Sequence, residues 1–135
     1  MIYVFILFAM IFLHIVDDYY LQGILAKMKQ KQWWKDNAPD DLYKHDYIPA
    51  LIAHGFSWSF VTMLPLVIYE LFIFSIPSFW YVYTVMLLVN TFLHCYVDTF
   101  KANFKLLNLI ADQLCHLTQI IATWGCFMVI GMVIA

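Results

Sequence analysis

The chain has 135 residues, of which 64% are hydrophobic and only 12% charged, and its net charge is −2. A soluble domain of this length has no means of hiding so much apolar surface, because soluble chains carry roughly a quarter charged residues. Its 7 basic residues are all Lys, so there is no Arg and no basic face for nucleic acid.

A membrane-crossing helix needs about 20 largely apolar residues, and four segments meet that length. The first covers residues 2–22 and stops at Gly23, which suits the left-handed turn that ends a helix. Its apolar start lacks a basic region and a small-residue cleavage site, so it reads as a retained helix rather than a signal peptide. The loop 23–48 holds Lys27, Lys29, Lys31, Lys35 and Lys44. Trp33 and Trp34 among these lysines predict an interfacial helix, and residues 37–41 (NAPDD) predict a turn before the second span. That span covers 49–74, with Pro49 in its first turn and a kink expected at Pro65. The third covers 78–100 and starts after Pro77. The fourth covers 106–134.

The fold class that follows is all-α: a single polytopic membrane domain over 1–135, built as a four-transmembrane-helix bundle with an interfacial helix in the first loop. Lys101 and Lys105 occupy the third loop, whereas the second has no Lys. The positive-inside rule then makes the first and third loops cytoplasmic and puts both termini outside. Cys95, Cys115 and Cys126 lie in apolar runs without CxxC spacing and read as small packing residues.

Ionisable residues inside such spans are costly and usually functional. The first span carries His14 and Asp18, the second His54, the third His94 and Asp98, the fourth Asp112 and His116. Three of these His have an Asp four residues away, and residues four apart share a helix face. The pairs fall near the ends of the first and third spans and near the starts of the second and fourth. At about 1.5 Å per residue, all seven side chains then share the cytoplasmic half of the bilayer. Inward imidazoles and carboxylates from four antiparallel helices make a bundle-core metal site.

Seven ligands are too many for one tetrahedral ion and suit two. Two divalent ions against three Asp and four neutral His would need one further hydroxide for neutrality. Zinc is favoured, with manganese and iron compatible with the same donors. The competing reading is a proton relay or a polar network between helices.

Other polar residues rank lower. Gln22 lies four residues after Asp18 and is placed to orient it. Lys101 follows Asp98 by three, where it would pair with that carboxylate or bind an anionic headgroup, unless it snorkels to the interface. Asp17 should point about 100° away from Asp18 on an α-helix and is left out of the ligand set. Glu70 falls roughly 24 Å beyond His54, near the outer interface. His45 is read as solvated, and Tyr19, Tyr20, Tyr81 and Tyr83 as interfacial.

These residues resemble those of a family of small bacterial and phage membrane proteins, domain of unknown function 3307. The matching elements are HIVDDYYLQ (His14 to Gln22), His54-Gly-Phe, HCYVDTFK (His94 to Lys101) and DQLCH (Asp112 to His116). Together they span nearly the whole chain. The resemblance implies an integral membrane protein of the bacterial inner membrane, and it implies that Gln22, Lys101 and Gln113 belong to the site region. Asp17 stands where that pattern leads one to expect a small or apolar residue. The resemblance carries no activity.

The favoured function is a metal-dependent hydrolase acting on a membrane lipid or lipid-linked substrate at the cytoplasmic leaflet, because metals make water nucleophilic at that depth. Asp98 and Lys101 are its candidate catalytic residues, with Gln22 and Gln113 in support. The absence of Arg argues against bidentate phosphate recognition. One alternative is a di-iron redox enzyme on acyl chains, although such bundles usually carry Glu. Another is a non-enzymatic metal or proton transporter, or a metal-stabilised scaffold; beyond Glu70, Thr62 and Thr84 the outer half offers no polar path. A second copy of the chain is a candidate partner, with no GxxxG motif to fix a dimer face.

Overall fold

The structure is a computed structural model that describes residues 1–73 and 75–134, with side chains through Gly131. Phe74, the expected last residue of the second span, lies outside the described residues, as does Ala135. The described chain is all-helical and has four helices long and apolar enough to cross a membrane.

Helix α1 (Ile2–Val16) continues into a π-helical turn at Asp17–Leu21. Gly23 follows with φ +48°, the left-handed conformation that lets the chain leave the helix. The loop then forms two short helices, α2 (Leu25–Met28) and α3 (Lys31–Asn37). The second carries Trp33 and Trp34, at the place expected for the interfacial helix. A 3₁₀ turn at Asp41–Tyr43 follows, in which the Leu42 amide donates to Asp40 Oδ1.

Helix α4 (Tyr47–Phe72) starts two residues earlier than the sequence suggests. Pro49 is its third residue, where the missing N–H would have no partner anyway. The helix continues through Pro65. Ser78, at φ 62°, precedes α5 (Phe79–Asp98), which also passes into a π-helical turn at Thr99–Asn103. Helix α6 (Leu109–Ile134) begins three residues later than predicted. The Asn108 side chain accepts from the Ala111 amide there and caps the helix, so 106–108 stay outside it.

Helix α4 packs on α1 and α5, and α6 on α5 and α1, which closes a four-membered ring. Met10, Trp58, Met63, Leu66, Ile120 and Phe127 fill the interior. Phe5, Phe8, Phe12, Phe60, Leu88 and Phe92 face outward, so the outer surface is apolar too. Tyr19, Tyr20 and Tyr81 are exposed as expected. Tyr83 is instead buried in the core, stacked on Phe79.

Gly55 sets the closest helix contact. A Cβ there would stand 2.6 Å from Cys95 Sγ and 3.1 Å from the Thr91 carbonyl of α5. Cys95 in turn donates to the Leu51 carbonyl, so it packs between helices as its sequence position suggests.

Candidate metal centre

The antiparallel ring brings the end of α1, the start of α4, the end of α5 and the start of α6 to one end of the bundle. His14, His54, His94 and His116 meet there, all essentially inaccessible to solvent. His94 stacks between Trp58 and His116, each ring 4.3 Å away. Trp58 lies four residues after His54, on the same face of α4. That spacing was the signal for it, overshadowed in a sequence rich in aromatics.

Two groups of three lie close enough together to hold an ion. Asp18, His54 and His94 each offer an atom within 4.8 Å of the others, and so do His94, Asp98 and His116. His94 belongs to both. Five of the seven expected ligands are therefore drawn together. The remaining two sit beside them with other partners. His14 Nδ1 accepts from Trp58 Nε1 at 2.7 Å, and its Nε2 lies 3.0 Å from Gln113 Oε1. Both nitrogens of His14 are thereby used. Asp112 Oδ2 is held by Lys101 Nζ at 2.5 Å and by Gln113 Nε2 at 3.1 Å.

The unmatched atoms test whether a metal fits. Both ring nitrogens of His94, Nδ1 of His54, Nδ1 of His116 and Oδ1 of Asp112 are buried without a hydrogen-bond partner among the described residues. Leaving such a group unmatched costs about 1–3 kcal/mol. His94 Nε2 comes within 3.4 Å of Asp98 Oδ2, as does His116 Nε2 of Asp112 Oδ1. Those distances are long for a hydrogen bond. Imidazole nitrogens converging with carboxylates, and short of partners, fit a divalent ion.

Three sequence expectations change. Asp17 belongs to neither triad, but it is fully buried, accepting from Ser57 Oγ at 2.9 Å and from Gln22 Nε2. The π-helical turn is the reason. Its wider ring stacks residue i+5 over residue i, so Gln22 serves Asp17 rather than Asp18. Gln22 also donates to the His54 carbonyl at 3.2 Å, tying the turn to α4. The second change concerns Lys101, which pairs with Asp112 rather than Asp98, from within the second π-helical turn.

The third is Lys29, read from sequence as a loop lysine. Its Nζ lies 2.7 Å from both Asp98 Oδ2 and His54 Nε2, so it touches one member of each triad. Asn103 fixes the segment that carries it: Oδ1 accepts from the Lys31 amide at 2.8 Å and Nδ2 donates to the Lys29 carbonyl at 3.2 Å. No sequence spacing signals a contact between residues so far apart in the chain.

A cavity of about 410 Å³ opens beside the centre. Asp18, His54 and Asp98 line it on one side, and Lys29, Lys101 and Lys105 on the others. Elsewhere, Glu70 accepts from Ser75 Oγ at 2.9 Å and the Ile76 amide at 2.8 Å, where it staples the α4–α5 loop at the far end. His45 is exposed. Thr84 is exposed and donates to its own helix. Midway along the bundle, Gln119 and Thr123 donate to Asn90 Oδ1 at 2.8 and 3.0 Å, a polar cluster the sequence reading passed over. Comparison with known proteins adds no relative: no family model, curated protein or solved structure matches the chain.

Proposed function

We propose that the chain is an intramembrane metal-dependent hydrolase acting on a lipid or lipid-linked substrate. The apolar outer faces of the four long helices support insertion in a bilayer. Seven Lys confined to the loops flanking the metal end support a cytoplasmic orientation for it. One observation carries the reading: two ligand triads with partnerless buried nitrogens lie against a cavity on the lysine-rich side, which Asp18, His54 and Asp98 line.

Asp18, His54, His94, Asp98 and His116 would hold two divalent ions, zinc by preference, with manganese or iron compatible. Bound there, the metal would make a water acidic enough to attack at neutral pH. Asp18 lines the cavity and is contacted only distantly by His14, at 3.7 Å. With one carboxylate oxygen on the ion, its other oxygen would take the proton that water loses and return it to the leaving oxygen. Gln113 orients His14, and Gln22 orients Asp17 and the start of α4. Lys29 and Lys101 face the cavity, where the substrate would enter.

Elemental analysis of detergent-purified protein tests the reading. About two ions per chain, lost together in a His94→Ala/Asp98→Ala variant that still folds, is the expected result. Zinc favours hydrolysis; iron with oxygen consumption would favour the redox alternative.

A second reading follows from Lys29. Its ammonium already satisfies Asp98 and His54, so the cluster also works as a metal-free ionic network between helices. A metal-free wild-type protein, unchanged by added zinc or manganese, would establish that reading and end the first.

A further inference from the structure

Four carboxylates stand at the metal end: Asp17, Asp18, Asp98 and Asp112. Two ammonium groups reach into the same set, Lys29 on Asp98 and Lys101 on Asp112. The side chains of these lysines are only 12% and 33% exposed, so the pairs are not ordinary surface contacts. Counted over the whole end, two divalent ions would balance the four carboxylates, although only Asp18 and Asp98 belong to the triads. Both ammonium groups would then be left with surplus positive charge at a partly buried site, which favours an incoming anion.

Lys29 makes the displacement specific. Its Nζ engages His54 Nε2 and Asp98 Oδ2, an atom from each triad. A divalent ion drawn to those triads competes with the ammonium for the same electron pairs. The Asn103 clasp holds the Lys29 backbone in place, so the released ammonium stays at the cavity wall rather than leaving with its loop. Lys101 and Lys105 share that wall, and Gln30 and Gln113 add amide donors. Leu109 and Ala102 give the cavity an apolar side. Its volume of about 410 Å³ suits a headgroup.

We propose that Lys29 and Lys101 clamp a doubly charged phosphoryl group, which makes the substrate class a phosphate monoester. This rests on the metal reading above and deepens it. Two surplus ammonium charges match a phosphate dianion, whereas a neutral ester or amide leaves them unbalanced. Without Arg, the clamp works through point charges rather than a planar fork. In the reaction, the oxygen of water bonds to phosphorus and the phosphorus–oxygen bond to the alcohol breaks. The proton taken from water by Asp18 goes to the alcohol oxygen, so the products are inorganic phosphate and a free hydroxyl.

Native mass spectrometry of the full chain released from detergent counts metal ions and bound lipids together. The protein is mixed with phosphatidic acid, phosphatidylcholine or inorganic phosphate. Two ions are expected, with phosphatidic acid either retained or converted to diacylglycerol and phosphate, and phosphatidylcholine lost. Lys29→Gln and Lys101→Gln should keep both ions and each weaken phosphatidic acid about tenfold, the loss of one charge-assisted contact. Lys44→Gln, an exposed lysine outside the cavity, should change nothing. If inorganic phosphate displaces the lipid at equal concentration, the monoester is a soluble one; if it does not, the lipid form is the ligand; both outcomes support the clamp. Equal retention of both lipids, or unaltered binding in the two lysine variants, would overturn it while leaving the metal reading intact. One ion per chain would also overturn it, because four carboxylates, two ammonium groups and one divalent ion already balance. No metal at all would remove the metal reading itself.

Discussion

Lys29 Nζ sits 2.7 Å from Asp98 Oδ2, joining a short loop helix to the buried end of α5. Without metal, this ammonium is the cation nearest the centre of the two triads. Lys29→Gln should therefore have opposite effects in the two states. The metal-free variant leaves a buried carboxylate short of its charged partner and should lose about 2 kcal/mol. The metal affinity of the same variant should rise severalfold, because a competitor has gone. Thermal unfolding in detergent with and without zinc, together with titration against a chromophoric chelator, reads both. A variant that loses stability equally in both states would mean that Lys29 does not compete with metal.

Asp17 and Asp18 are neighbours with different tasks. Asp17 is held by Ser57 and Gln22 and reaches neither triad, whereas Asp18 is a member of the first. Asp18→Asn should lower metal content from about two ions toward one with a small change in stability. Asp17→Asn should keep the metal and cost about 1–2 kcal/mol, since an amide cannot accept from both partners on the same terms. Metal analysis and thermal unfolding of the two variants, side by side, decide the assignment. Loss of metal in Asp17→Asn alone would reverse it.

That pair also shows where the sequence stops being informative. Helix positions followed from the apolar runs, and the four-residue His–Asp spacing marked side chains that do converge at one bundle end. Gln22 was assigned to Asp18 instead of Asp17 because the reading assumed an α-helix to Gln22. A π-helical turn changes which residue stacks over which, and no residue type announces it. Lys101, in the second such turn, reaches Asp112 and not Asp98, the one carboxylate its sequence spacing had suggested as a partner. Lys29 was beyond reach because its position depends on Asn103, a partner distant in the chain. The start of α6 was legible: Asn108 is a good capping residue, and the prediction ran past it.

Gly55 is where α4 and α5 come closest, one residue from His54. In Gly55→Ala the new methyl meets Cys95 Sγ at 2.6 Å and the Thr91 carbonyl at 3.1 Å. The thiol can turn aside, but the carbonyl belongs to a helix backbone. The expected cost is about 1–3 kcal/mol. Because His54 and His94 lie on the two helices being parted, metal affinity should fall as well. Gly55→Ala/Cys95→Ala should recover part of the stability, the remainder being the carbonyl contact. Full recovery would show that the sulfur alone sets the spacing.

Glu70 separates the hydrolase from a transporter. A proton or metal path across the bundle would need a carboxylate in the half away from the metal centre, and Glu70 is the residue placed there. Both its oxygens are occupied by the loop it staples, Oε1 by Ser75 and Oε2 by the Ile76 amide. A residue with that task should tolerate an isosteric amide. Glu70→Gln keeps one acceptor oxygen and should lose about 1 kcal/mol of stability. Its metal content and phosphomonoester hydrolysis should stay at wild-type levels. In proteoliposomes, neither the wild type nor the variant should pass protons or zinc faster than protein-free vesicles. Flux through the wild type that disappears in Glu70→Gln would instead make the polar residues between, Thr62 and Asn90 among them, part of a conduction path, and the hydrolase reading would have to give way.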